Sequence, residues 1–245
     1  HFFYEMVALS PACCDALGIP ISAEDRKKAH VEVSGRKGLG VKADDLLDTL
    51  TEKALQEVNN RREELSGDQR RDVAIQIAVG ALRYFMLKYT RNSVIAFDLN
   101  EALSFEGETG PYLQYSVVRS NNIFRKLKTR ECDWESPAWI ERRNRLRDDP
   151  KLAELLEDDE SWGLLLDVAR IEEAVFQAVD TLEISTVARH AFNLAQQFNL
   201  FYHKHHILSE EDEIRKTFYL TVADTARKGM TRIVNLLGIE VPERM

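Results

Sequence analysis

Residues 109–130 read Thr109-Gly110-Pro111-Tyr112-Leu113-Gln114-Tyr115-Ser116-Val117-Val118-Arg119-Ser120-Asn121-Asn122-Ile123-Phe124-Arg125-Lys126-Leu127-Lys128-Thr129-Arg130. The stretch opens on Thr-Gly-Pro, where a proline is tolerated because the first turn of a helix has no partner for its N–H. Beyond it two stripes run at helical spacing. Leu113, Val117, Ser120, Phe124 and Leu127 form an apolar stripe that is expected to face a core. Tyr112, Tyr115, Arg119, Asn122 and Lys126 form a second line of aromatics, cations and an amide. That set suits an unpaired RNA loop, whose bases stack on rings and whose phosphates meet cations. Half-buried tyrosines beside solvated cations would produce the same spacing.

Outward from this helix the period stays helical. Toward the C-terminus, Ser136-Pro137 starts another helix, and 158–179, 185–202 and 210–237 each read as amphipathic helices, with Gly238 as a C-terminal stop. Toward the N-terminus, Val94–Phe97 has an extended pattern, and Ser66-Gly67-Asp68 precedes an apolar helix through Val73, Ile77, Ala81, Leu82, Phe85 and Met86. Ala43-Asp44-Asp45 opens a further helix, with acids in the first turn where the helix dipole favours them. The first forty residues differ: Pro and Gly punctuate them, and His30–Val33 alternates like a short strand before the basic loop Ser34-Gly35-Arg36-Lys37-Gly38. The reading is a mainly α chain: a helical bundle over residues 61–245, preceded by a mixed segment, 1–60. The bundle is expected to carry its own core and to melt cooperatively without residues 1–60.

Composition narrows the class. The 245 residues are 44% hydrophobic and 30% charged, with 11 Gly and 6 Pro, which excludes collagen-like, low-complexity and disulfide-miniprotein sequences. No apolar run approaches the ~20 residues of a membrane span, and no basic, short apolar leader opens the chain. Cys13, Cys14 and Cys132 lack metal or redox spacing, so a reduced, cytoplasmic setting is expected. A chain opening on His1 is expected to be the later part of a longer polypeptide. The net charge of −8 argues against a general nucleic-acid coat, yet residues 112–147 hold nine Lys and Arg against four Asp and Glu. One basic segment in an acidic chain can still hold a polyanion at a defined place.

Two further groups carry side chains suited to ligand chemistry. Ser34 through Gly38 combines a hydroxyl, two cations and two glycines, a kit for phosphate oxygens, though without Walker spacing. His203, His205 and His206 lack the i, i+4 spacing of a helical zinc pair, so no metal site is expected.

Several of these segments together resemble the arginyl-tRNA synthetases, class I enzymes. Gly80-Ala81-Leu82-Arg83-Tyr84-Phe85 is similar to the Asp-Ala-Leu-Arg signature of that family's anticodon-binding domain, with Gly80 in place of the Asp. Tyr112-Leu113-Gln114-Tyr115 with Arg119 resembles its Tyr-x-Gln-Tyr-x-x-x-Arg helix. Phe198-Asn199-Leu200-Phe201-Tyr202 and Leu237 through Met245 resemble its last two helices and terminus. His30 through Gly38 resembles the ATP signature loop, with Glu32 and Gly35 where lysines can stand. Residues 131–160 match no part of the pattern, and neither the His-Ile-Gly-His-type signature nor the rest of a Rossmann-like sheet occurs in these residues.

The resemblance implies that residues 1–60 end a catalytic domain of that Rossmann-like type and that 61–245 form the anticodon-binding bundle. It implies an enzyme that joins arginine to tRNA(Arg) with ATP and its Mg2+, and a monomer with no membrane partner. Ser34, Arg36, Lys37 and Gly38 would bind ATP, with Arg36 and Lys37 acting in catalysis, while Tyr115, Arg119, Phe198, Tyr202 and Met245 would meet tRNA. With half of the ATP site missing, these 245 residues alone are expected to hold no cofactor tightly and to be inactive. The rival reading is a non-catalytic module of the same descent that binds tRNA or protein.

Overall fold

The computed structural model describes residues 5–33, 41–61 and 64–245. Ser34, Arg36, Lys37 and Gly38 of the expected ATP loop therefore lie outside the described residues. The chain is mainly α. Strand β1 (Val7–Leu9) and helix α1 (Pro11–Ala16) lead through a 3-10 turn to α2 (Ala43–Arg61) and α3 (Gly67–Leu87). Strand β2 (Ile95–Phe97), α4 (Leu99–Ala102) and α5 (Gly110–Arg130) follow, then α6 (Pro137–Asp148), α7 (Lys151–Leu155), α8 (Asp159–Ala169), α9 (Ile171–Thr181), α10 (Ser185–Lys204) and α11 (Glu213–Leu236). Among the described residues, no helix is long and apolar enough to cross a membrane.

Side chains close the helix starts. Ser66 and Gln69 form a reciprocal capping box on α3. Thr109 accepts from Tyr112 N, with Pro111 in the first turn of α5. Asp158 caps α8 and Asp212 caps α11. The expected single helix over 158–179 is two, α8 and α9. Arg170 breaks it with ψ near 0° (φ −82°), and the change of direction lets Leu164 and Ile171 both reach the main core. The last helix begins at Glu213 rather than at 210, because Asp212 takes the cap and residues 207–209 form a 3-10 turn.

The N-terminal segment is more integrated than its sequence suggests. β1, which carries no clear strand pattern, pairs in parallel with β2, Ala8 opposite Ala96. Of the alternating His30–Val33 piece only Val31 pairs, as a single antiparallel bridge to Leu9. Three apolar clusters share α3. Its Tyr84 belongs to the main bundle core with Leu113, Leu194 and Phe198. Ala78, Ala81 and Phe85 pack with Leu9, Cys13, Leu50 and Phe97. Ala74 and Ile77 pack with Ala54 and Val58 of α2. The expected boundary at residue 60 thus cuts through packed side chains: removing 1–60 would expose one whole side of α3. Cys13, Cys14 and Cys132 are free thiols; burial, then the charges of Cys14 and Asp98, push Cys13 up to about 12.

Where α5 meets α3 the two backbones touch. A methyl added at Gly110 would stand 2.2 Å from the carbonyl oxygen of Gly80, and one at Gly80 would stand 2.6 Å from Gln114 Nε2. Gln114, fully buried, donates through Nε2 to Gln76 O (2.9 Å) and to Glu240 O (2.7 Å), tying α3, α5 and the C-terminal tail together. Gly80→Ala forces the Gln114 amide off both carbonyls and is expected to cost roughly 1–3 kcal/mol, the range of an overpacked core. Gly110→Ala meets backbone that cannot swing aside and is expected to cost more. Denaturant unfolding of the two variants checks the order, and a Gly110→Ala as stable as the parent would show that the helices can separate at no penalty.

Candidate nucleic-acid interface

Residues 115, 119, 122 and 126 of α5 fall on one helix face because they are spaced by three and four. The cap at Thr109 and the contact at Gly110 fix the rotation of α5, and that face is turned to the C-terminal end of α10. There α10 stops at Lys204, His205 takes an extended conformation (φ −106°, ψ 123°), and the chain turns before α11. The C-terminal tail completes the wall. After Gly238, in a left-handed turn (φ 66°), it runs back along α5, held by Glu240 O on Gln114 and by Glu243 O on Arg125 Nη2 at 3.1 Å.

The result is an open cleft of about 470 Å3 lined by Tyr115, Arg119, Asn122, Ile123, Lys126, Tyr202, His203, His205, His206, Ile207, Leu208 and Met245. Cations, imidazoles and phenol rings dominate, and none of these lining residues is Asp or Glu. Such a surface offers charge to a polyanion and flat faces to bases. Tyr115 is 36% exposed. The Arg119 guanidinium lies over the rings of Tyr115 (4.8 Å) and Tyr202 (5.2 Å). Its Nη1 donates to Asn199 Oδ1 at 2.6 Å and its Nη2 to the Tyr115 hydroxyl at 3.3 Å. Asn122 Oδ1 accepts from Arg125 at 2.6 Å, while Lys126 is exposed.

Four of the five residues expected to meet tRNA, Tyr115, Arg119, Tyr202 and Met245, are brought together here, although Met245 lies far from the others in sequence. Phe198 is not on this surface. It is fully buried, with its ring 6.2 Å from that of Tyr202, so it supports the tyrosine and offers no face to a base. Tyr112 also leaves the expected polar stripe: its ring packs on Phe192 and its hydroxyl meets Asn199. Sequence reasoning passed over Asn199 and gave the histidines only a metal reading. The signal for Asn199 was an amide at a helix position bracketed by Ala195, Phe198 and Tyr202.

Residues 131–160, unmatched by the sequence pattern, pack on the main core. Trp134 and Trp139 are buried with rings 5.3 Å apart, under Arg143 and Arg142. Asp158 reaches the cleft wall: it accepts from Lys204 Nζ (2.8 Å) and lies 3.2 Å from His205 Nε2. Lys204 also pairs with Glu160. Burial opposes a charge on Asp158, but the hydrogen bonds from Lys204 and Ser161 outweigh it and hold the carboxyl well below its usual range. His205 stacks between Phe201 and Tyr219 at 4.9 and 4.2 Å. Burial depresses its basicity, and Asp158 offsets only part of that. Among the described residues, no group of three His, Cys, Asp or Glu side chains is placed to hold a metal ion.

Residues 113–245 match the family described as the DALR anticodon binding domain. The arginine–tRNA ligase of Clostridium botulinum (strain Alaska E43 / Type E3) is 34% identical over 221 residues, covering 89% of this chain and 36% of the relative. That of Clostridium beijerinckii is 35% identical over 219 residues, with the same coverage. Among solved structures, Thermus thermophilus arginyl-tRNA synthetase superposes with a TM-score of 0.73 at 26% identity over 99% of this chain and 35% of that one. The chain therefore spans about 36% of the length of the curated relatives it matches.

The buried histidine gives a pH signature. A His whose folded form resists protonation contributes stability above its ordinary value, 6.5. That contribution is lost as pH falls below it, since the unfolded chain then binds a proton that the folded chain does not. The Asp158 contribution persists further and is lost below its ordinary 3.8. Urea unfolding is expected to show falling stability from pH 7 to pH 5, and His205→Gln should flatten that fall while being less stable at pH 7. An unchanged slope in the variant would assign the pH dependence to other groups.

Proposed function

Since the chain belongs to the DALR anticodon-binding domain family, we propose that its cleft receives the anticodon loop of tRNA(Arg). The carrying observation is the convergence of Tyr115, Arg119, Tyr202 and Met245 with Lys126 on one surface that has no Asp or Glu among its lining residues. Bases would stack on Tyr115 and Tyr202. Lys126, exposed, would meet phosphate. Arg119, already aimed by two hydrogen bonds, suits the edge of a base better than a mobile phosphate. Phe198 would act from beneath, by holding Tyr202.

We further propose that the protein of which these residues form part is an arginine–tRNA ligase working as a monomer in the cytoplasm. It would form arginyl-adenylate and pyrophosphate from arginine and ATP, then pass arginine to the 3′ end of the tRNA. Ser34, Arg36, Lys37 and Gly38 would steady the phosphates, a role that rests on the sequence resemblance. Because only one of the two ATP signature elements occurs in these 245 residues, they would not activate arginine by themselves.

In binding assays with tRNA(Arg) and an anticodon-swapped transcript, Tyr115→Ala is expected to weaken the cognate complex about tenfold or more, since stacking is worth roughly 1–3 kcal/mol per base. Arg119→Ala should remove preference for the cognate anticodon, whereas Lys126→Ala should weaken both transcripts alike and flatten the salt dependence by about one charge. Phe124→Ala, whose ring lies between Trp134 and Arg227, is the control: it should lower stability by up to about 3 kcal/mol and bind normally once folded. If Tyr115→Ala and Arg119→Ala bind both transcripts as the parent does, the loop docks elsewhere. ATP–pyrophosphate exchange by the 245-residue chain should not rise above a blank, and in a complete ligase Lys37→Ala should slow activation with tRNA affinity unchanged. Exchange activity in the short chain would refute the two-element reading.

A further inference from the structure

Asn199 is 9% exposed, on a side of α10 that otherwise buries Ala195 and Phe198. Its amide is fully engaged. Nδ2 donates to the Tyr112 hydroxyl at 2.9 Å and to Ser116 Oγ at 3.0 Å, and Oδ1 accepts from Arg119 Nη1 at 2.6 Å. Ser116 is itself fixed, donating to Tyr112 O at 2.8 Å. With both donors committed to the two hydroxyl oxygens, the amide is fixed in the orientation that presents its carbonyl to Arg119. A buried amide that satisfied only its own helix would have no need to reach a half-exposed cation on another. The charge-assisted bond is also the shortest of the three, as expected where an ionised donor is involved.

We infer that Asn199 is a positioning residue for RNA recognition: without touching the RNA, it sets the orientation in which Arg119 meets an anticodon base. The inference rests on the anticodon reading of the cleft. Arginine's long stem leaves its planar fork many directions in water, and a fork read by a base edge must hold one. The Tyr112 and Ser116 hydroxyls supply the reference frame, Asn199 transmits it, and the Tyr115 hydroxyl on Nη2 fixes the other end of the fork.

A double-mutant cycle tests this, read as the ratio of affinities for a tRNA(Arg) transcript and the same transcript with its anticodon swapped. Asn199→Ala should lower the ratio by about as much as Arg119→Ala, and the double variant should fall no further, because both remove one interaction. Tyr112→Phe, which takes away one of the two anchors while keeping the ring on Phe192, should lower the ratio three- to tenfold in the parent and not at all in the Arg119→Ala background. It also decides the matter if Asn199→Ala does not fold. Additive losses in the cycle, or a parental ratio in both Asn199→Ala and Tyr112→Phe beside a reduced one in Arg119→Ala, would overturn the positioning role and leave the cleft intact. A parental ratio in Arg119→Ala itself would overturn the anticodon reading, and the role of Asn199 with it.

Discussion

The close approach of α5 to α3, backbone on backbone where Gly110 meets the carbonyl of Gly80, governs how everything C-terminal to it is arranged. A helix that touches another through main chain alone has little freedom to roll, since any rotation brings a side chain into a space with none to spare. Gln114, one turn on, converts that contact into a fixed rotation by donating to carbonyls of α3 and of the C-terminal tail. Once α5 is set, Leu113 and Val117 must face the bundle and Tyr115 and Arg119 must face the cleft. At Gly80 the space that a side chain would enter is taken by the Gln114 amide.

The cleft is built largely from side chains that the fold itself already orders. Arg119 is stacked and hydrogen-bonded, and His205 is packed between two aromatic rings with Asp158 at its edge. Ordering long side chains on binding opposes association, and a surface that has ordered them during folding avoids that penalty. Lys126, His203 and His206 at the rim are exposed and can adjust to a ligand's backbone. On the anticodon reading proposed above, that division would suit the two tasks of a nucleic-acid interface, in which phosphate contacts position and base contacts discriminate.

Much of this was legible in the sequence, and the reasons for what was not are physical. Periodicity gave the helices because their apolar faces are buried, and caps at Ser66, Thr109 and Asp158 mark starts that the spacing alone would blur. The break at Arg170 is a change of ψ with no Gly or Pro to announce it. β1 was hidden because three residues cannot display alternation. The resemblance to arginyl-tRNA synthetases brought Tyr115, Arg119, Tyr202 and Met245 into one list, but it could not separate Phe198 from Tyr202, which stand one helical turn apart yet on either side of the surface. Asn199 and the contact of Asp158 with His205 depend on pairings between distant elements, 80 and 47 residues apart, which no local pattern encodes.

Helix α3 belongs to three apolar clusters at once, and in mechanical terms that makes it a strut. Its 21 residues span about 30 Å, gripped along their length by the N-terminal strand and helices on one side and by the bundle on the other. A strut held at every turn transmits displacement instead of absorbing it. A shift where Phe85 meets Phe97 would therefore reach Gly80, and through it the pitch of α5, as a tilt of one stiff rod. The N-terminal elements and the cleft are geared to each other by this one helix, against whose Ala74 and Ile77 the cleft residue Met245 also packs.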